Sequence, residues 1–212
     1  MAQSLADAPT EVLIQALESD DLKTRAAATY YLGIRAEAGE LEILPVLIEL
    51  LVDPQIEISD VAVEHLRVVG EPAVLPLLTA LCDHGRHPSI RGMAARGLGN
   101  IRDDRALEPM LKILQDRTDD TGVRFRCAFY LGRLGDVRAV EPLGRILTAS
   151  DDSAEVREAA AAGLEELKDQ RAVPFLLVAL ADESFHSFAW NTLARLVGIA
   201  EADRLSALAG GG

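Results

Sequence analysis

Residues 123–143 read VRFRCAFYLGRLGDVRAVEPL, and close variants flank them: IRGMAARGLGNIRDDRALEPM at 90–110 and VREAAAAGLEELKDQRAVPFL at 156–176. Self-similarity at a fixed period marks a stack of like units and governs the rest of the reading. With Val123 as position zero, the stripe at positions 0, 4, 8 and 11 is Val123, Cys127, Leu131 and Leu134. One step earlier it is Ile90, Ala94, Leu98 and Ile101, and one step later Val156, Ala160, Leu164 and Leu167. It extends outward to Ile58, Ala62, Leu66, Val69 and to Phe185, Ala189, Leu193, Leu196. At the front Thr24, Ala28 and Leu32 fit while Arg35 does not, an irregularity expected of a terminal unit. Starts at 24, 58, 90, 123, 156 and 185 give steps of 34, 32, 33, 33 and 29 residues, hence six units.

Positions 0, 4, 8 and 11 share one face of an α-helix. Ahead of each such helix lies a second apolar segment that carries a proline, at Pro45, Pro76, Pro109, Pro142 and Pro174. Proline is tolerated at a helix start, where the first amides lack intrahelical partners, and kinks a helix further in. The acidic pairs Asp20–Asp21, Asp119–Asp120 and Asp151–Asp152 are expected to cap the second helices, and Gly70 and Gly135 to close helices in the left-handed conformation. Each unit is thus a hairpin of two helices whose oily stripe is buried only by stacking on its neighbours. The expected fold is all-α, an α-α superhelix in one array over 1–212. The repeats fall at approximately 9–39, 40–70, 71–104, 105–137, 138–170 and 171–200. A cap follows at 201–212, with EADRLSALA (201–209) helical and the closing glycines flexible.

Composition agrees. Of 212 residues 49% are hydrophobic but only 4% aromatic, so the core must be Leu, Ala, Val and Ile, which suits packed helices. The formal charge of −13 repels phosphate backbones and anionic lipid, which argues against nucleic acid and membrane as partners. ILPVLIELLV (43–52) is too short to cross a bilayer, and MAQSLADAPTEV lacks the cationic and apolar parts of a leader. Cys82 and Cys127 both sit in helical patterns and are expected to be buried, reduced thiols of a cytoplasmic protein.

RAVEPLGRIL, an acidic turn and VREAAAAGLEEL (138–167) together resemble the HEAT repeat, specifically its phycobilin-lyase-like subfamily. The resemblance runs from residue 9 to about 200 and is strongest in units three to five. It implies a proline helix on a convex side and a second helix lining a concave groove. It also implies an arginine ladder at Arg25, Arg91, Arg124 and Arg157, each tied to an acidic turn residue, with breaks at Ser59 and His186. Members of the wider family include interaction scaffolds, bilin lyases, a DNA glycosylase and an iron hydroxylase. The hydroxylase needs His-Glu steps, and only the reversed Glu64–His65 occurs.

Residues at positions +2, +3, +6 and +10 of the second helices point away from the packed stripe and are candidates for the groove. They include Met93, Arg96 and Asn100 in unit three and Phe125, Arg126, Phe129 and Arg133 in unit four. Unit six adds Ser187, Phe188, Asn191 and Arg195, whereas unit two offers Asp60 and Glu64 and unit five Glu158 and Glu166. Aromatic and arginine side chains on a solvent face are the usual anchors of an interface. The plainer alternative is that Phe125 and Phe129 pack on the next repeat. From His84 to Arg138 eleven Lys/Arg stand against seven Asp/Glu, a belt of +4 in an acidic chain that suits carboxylates. Arg96, Arg126 and Arg133 are the arginines left once ladder and turn residues are set aside.

No cofactor or metal is expected. Cys82, Asp83, His84 and His87 lie in one loop but lack the spacing of a metal site, and DRTDDTG (116–122) places Cys127 where a calcium loop needs Glu. No nucleophile elbow, phosphate loop or zinc-protease pair occurs. The leading reading is a non-enzymatic scaffold that binds an acidic or mixed protein segment in its groove. The alternative, implied by the resemblance, is a bilin lyase subunit or bilin chaperone acting on phycobiliproteins, the only sense in which the chain would be an enzyme. DNA-lesion binding would need a strongly basic groove, which the charge opposes.

Overall fold

The computed structural model describes residues 5–210; residues 1–4 and 211–212, including the last two glycines of the tail expected to be flexible, lie outside the described residues. The described residues are α-helical with short 3₁₀ turns and no strand, an all-α fold. No helix among them is long and apolar enough to cross a membrane. The chain divides into two compact units at residues 103 and 104.

The first unit holds α1 (Thr10–Ala16), α2 (Leu22–Glu37), α3 (Leu44–Glu49), α4 (Ile56–Val69), α5 (Glu71–Cys82) and α6 (Pro88–Ile101). Asp21 starts α2 by accepting from the Thr24 amide at 2.9 Å and its hydroxyl at 2.7 Å. These bonds, the hydroxyl's foremost, hold the Asp21 carboxyl below its ordinary range. Arg35, the misfit in the stripe, has a local purpose: its guanidinium donates to the Ala8 carbonyl and to the Thr10 hydroxyl, tying the chain before α1 onto α2. Pro45 sits in the first turn of α3, but α5 begins early at Glu71–Pro72, which leaves Pro76 inside the helix. Gly70 has φ 70° with ψ −126°, a positive φ but not the left-handed helical conformation expected.

The second unit holds α7 (Leu107–Gln115), α8 (Thr121–Leu134), α9 (Val140–Thr148), α10 (Ala154–Leu167), α11 (Val173–Ala179), α12 (His186–Val197) and α13 (Ile199–Gly210). Short 3₁₀ turns at Asp104–Ala106, Val137–Ala139 and Gln170–Ala172 lead into α7, α9 and α11. Asp120 caps α8 through the Val123 amide at 3.1 Å, and Gly135 closes it in the left-handed conformation. Asp152 is not the expected cap of α10. Ser153 holds that position without a side-chain bond, while Asp152 reaches back to an arginine. Helices α8 and α10 approach until glycine meets glycine: a Cβ on Gly132 would stand 2.5 Å from the Gly163 Cα. This contact requires glycine.

The stripe is the core. Ile58, Ala62, Leu66, Ala94, Leu98, Val123, Cys127, Leu131, Val156, Ala160, Leu164, Ala189 and Leu193 are all fully buried. Each large apolar side chain so buried contributes about 1.5–3 kcal/mol. The helix in front supplies the other wall, for example Leu107, Met110 and Leu114 of α7 beneath α8. The ladder arginines run through this core. Arg91, Arg124 and Arg157 are 3–5% exposed, and the Nε of each donates to a carbonyl ten residues back, of Leu81, Leu114 and Leu147, at 2.9–3.0 Å. Arg124 then donates to both Asp152 oxygens at 2.8 and 2.6 Å, Arg157 to Asp182 at 2.8 Å, and Arg25 to Asp53 at 3.4 Å. Lysine offers only a point charge for this task, whereas guanidinium has donors for carbonyl and carboxylate together. At the two breaks, Ser59 bonds within its own helix and His186 donates from Nδ1 to the Leu180 carbonyl at 2.8 Å. Cys127 is buried as expected, but Cys82, in the last turn of α5, is exposed.

Candidate binding surface

In the second unit the ladder points one edge of each second helix inward, which fixes what the other edge presents. On α8, at 3.6 residues per turn, Phe125, Phe129, Arg133 and Arg126 fall at about 0°, 40°, 80° and 100° around the axis. They form one arc that passes from aromatic to cationic. Phe125 is 37% exposed, Phe129 and Arg126 are half-buried, and Arg133 is exposed. Phe129 is braced edge-on by Tyr130, with centroids 5.1 Å apart. Neither Arg126 nor Arg133 has a hydrogen-bond or ion-pair partner among the described residues. Guanidiniums without partners beside exposed rings have donors to offer a ligand.

Helix α10 supplies small and acidic groups at the equivalent positions. Ala159 is buried, Ala162 half-buried, and Glu158 and Glu166 exposed. On α12 Phe188 is 37% exposed and leans on Phe185 at 5.8 Å. Phe185 in turn carries the Arg157 guanidinium 4.1 Å above its ring. Asn191 and Ser187 are exposed, and Arg195 is engaged by Glu165 at 2.9 Å. Trp190 was not among the sequence candidates. It lines a cleft of about 350 Å³ with His186, Ser187 and Asn191, and its signal in the sequence was its being the chain's single tryptophan.

The first unit presents a different surface. Met93 is buried and takes no part in an exposed face. Arg96 of α6 is bound by Asp60 of α4 at 2.8 Å, and Arg67 is bound by Glu64 within α4 at 2.9 Å. The bond from Arg67 holds Glu64 below its ordinary range. The buried Oδ1 of Asn100 has no hydrogen-bond partner among the described residues. Between α2 and α4, Tyr30 leans edge-on against His65, whose Nδ1 lies 2.6 Å from Glu37 and whose ring rests on Gly33.

A family model described as HEAT repeats matches residues 10–92 and 83–154, and one described as a PBS lyase HEAT-like repeat matches 156–182. No curated protein matches the chain. Among solved structures, the complex of CpcE and CpcF of phycocyanin lyase from Nostoc sp. PCC7120 is 25% identical with a TM-score of 0.60. That match covers 72% of this chain and 99% of that one. Importin beta is 19% identical with a TM-score of 0.59, covering 95% of this chain and 32% of the importin.

Proposed function

Because the chain belongs to the HEAT-repeat family, we propose that it is a non-enzymatic protein-binding scaffold whose partner lies in the concave groove lined by α8, α10 and α12. One observation carries this: Phe125, Arg126, Phe129 and Arg133 share a single arc, exposed at Phe125 and Arg133 and half-buried between, on which neither guanidinium has a partner among the described residues. The partner is a segment of mixed charge. Its carboxylates meet Arg126 and Arg133, its cations meet Glu158 and Glu166, and its apolar side chains lie against Phe125 and Phe188 over the low ground of Ala159 and Ala162. In the first unit Arg96 and Asn100 are proposed as a separate, weaker patch, since Arg96 is already engaged by Asp60. The setting is cytoplasmic, where the thiols of Cys82 and Cys127, which form no disulfide, stay reduced.

The test is affinity capture followed by mass spectrometry, repeated with the double variant Arg126→Glu, Phe129→Ala. The expected result is that specific partners vanish while the circular dichroism spectrum is unchanged. Unaltered capture by the folded double variant refutes the surface.

The likeness to the phycocyanin lyase complex, together with the PBS lyase HEAT-like repeat, supports a second reading as a lyase subunit or bilin chaperone. There Arg126 and Arg133 would bind propionates and Phe125 and Phe129 would stack on a pyrrole. A change in visible absorbance on mixing with a free bilin, with or without phycobiliprotein subunits, is expected on this reading. Its absence in both mixtures rejects it.

A further inference from the structure

A second surface lies on the first-helix side of the second unit. Between the start of α9 and the start of α11 runs a cleft of about 440 Å³, lined by Val137, Arg138, Val140, Glu141, Arg171 and Phe175. Phe175 forms its apolar base, seated so closely on Gly144 that a Cβ there would meet the ring at 2.3 Å. Val137 adds an apolar rim that is 46% exposed.

The two arginines arise from one local device, Asp136-Val-Arg138 and Asp169-Gln-Arg171, whose pattern also occurs as Asp103-Asp104-Arg105 ahead of α7. In each, the aspartate opens the 3₁₀ turn by accepting the arginine's own amide at 2.9 Å. It then accepts from Nε at 3.0 Å and from Nη2 at 2.6 Å. The clamp fixes the guanidinium and leaves Nη1 without a partner among the described residues. Each pair is neutral in sum but lopsided in exposure. The carboxylates are 18% and 19% exposed and the guanidiniums 61% and 62%. Glu141, at the rim, is engaged by Arg145. The face offered to a partner is therefore an apolar base flanked by two outward-turned guanidiniums, with Glu141 at the rim and the carboxylates of Asp104 and Glu108 near Arg138.

We propose that this cleft docks an acidic segment of a partner protein, seating one large apolar side chain over Phe175 and Val137 between carboxylates bound by Arg138 and Arg171. The clamps matter because a pre-fixed guanidinium loses little side-chain freedom on binding. The cleft is distinct from the α8–α10–α12 face, so it stands or falls apart from the scaffold reading of that face.

The probe is the acetylated, amidated peptide Glu-Glu-Leu-Glu-Glu, titrated into the ¹⁵N-labelled full chain and followed by amide and arginine Nε–H resonances. Saturable shifts are expected at residues 137–141 and 170–175. They should be absent with Lys-Lys-Leu-Lys-Lys and weakened with Glu-Glu-Ser-Glu-Glu. Arg138→Gln with Arg171→Gln should weaken binding about tenfold, about threefold for each exposed charge contact. The rest of the amide spectrum reports in the same experiment that the variant is folded. No shifts at the cleft, equal response to the lysine peptide, or undiminished binding by the folded double variant would each overturn the proposal.

Discussion

Removing Arg124 tests the reasoning about the core most severely. Its side chain is 4% exposed and that of Asp152 1%, so the pair is out of water on both sides. Arg124→Met keeps the apolar stem but removes three bonds, to the Leu114 carbonyl at 3.0 Å and to the two Asp152 oxygens at 2.8 and 2.6 Å. What remains among the described residues is a buried carboxylate with the Ser153 amide, at 2.8 Å, and Arg117 at 3.8 Å to answer it, and a carbonyl ten residues back that has lost this donor. Stranding one charge of a buried pair costs about 3–5 kcal/mol. For a chain of this size, about 2–4 °C of melting temperature goes with each kcal/mol, so a loss of about 10 °C is expected by circular dichroism. Changing both partners, Arg124→Met with Asp152→Leu, removes the stranded charge, and the pair should show a coupling of at least about 2 kcal/mol in a denaturant double-mutant cycle. The exposed pair is the control: Arg195→Ala, beside Glu165, should cost less than about 1 kcal/mol. If Arg124→Met costs no more than that control, the arginine ladder does not hold the repeats together and the account of the core is wrong.

The close approach of α8 and α10 makes Gly132→Ala costly. The new methyl would meet backbone at 2.5 Å, and separating two packed helices should destabilise by about 1–3 kcal/mol, read as a lower denaturant midpoint. Stability should also fall with acid. Asp152 is lowered chiefly by Arg124, Asp136 by Arg138 and Asp169 by Arg171, the last to about 2 from an ordinary 3.8. A carboxyl lowered in the folded state binds protons more readily when unfolded. Its contribution is complete above about pH 4 and lost as pH falls toward 2, and a flat denaturation midpoint across that range would refute it. Arg35→Ala should loosen the chain ahead of α1, giving faster amide exchange at residues 8–13 with little change elsewhere, because its bonds to Ala8 and Thr10 are local.

The stripe was legible because burial imposes it on every unit alike: Val123, Cys127 and Leu131 repeat as Val156, Ala160 and Leu164 under the same demand for small and branched side chains. What stayed hidden depends on register between neighbours. Asp152 looks like a cap beside Asp151 and is instead the ladder partner of Arg124, 28 residues before it. The bonds Asp60–Arg96 and Glu165–Arg195, 36 and 30 residues apart, are equally invisible one helix at a time. Yet those separations are about one repeat, so opposite charges one period apart were a usable signal. Two kinds of surface follow from this. Asp136–Arg138 and Asp169–Arg171 recur because the turn that builds each hairpin recurs, and the cation each exposes comes along with the turn. Phe125, Arg126 and Phe129 recur in no neighbour: the equivalent residues of α10 are Glu158, Ala159 and Ala162. The stacking that repeats in every unit cannot be what requires them, and their exposed arc is where the scaffold has room for a partner.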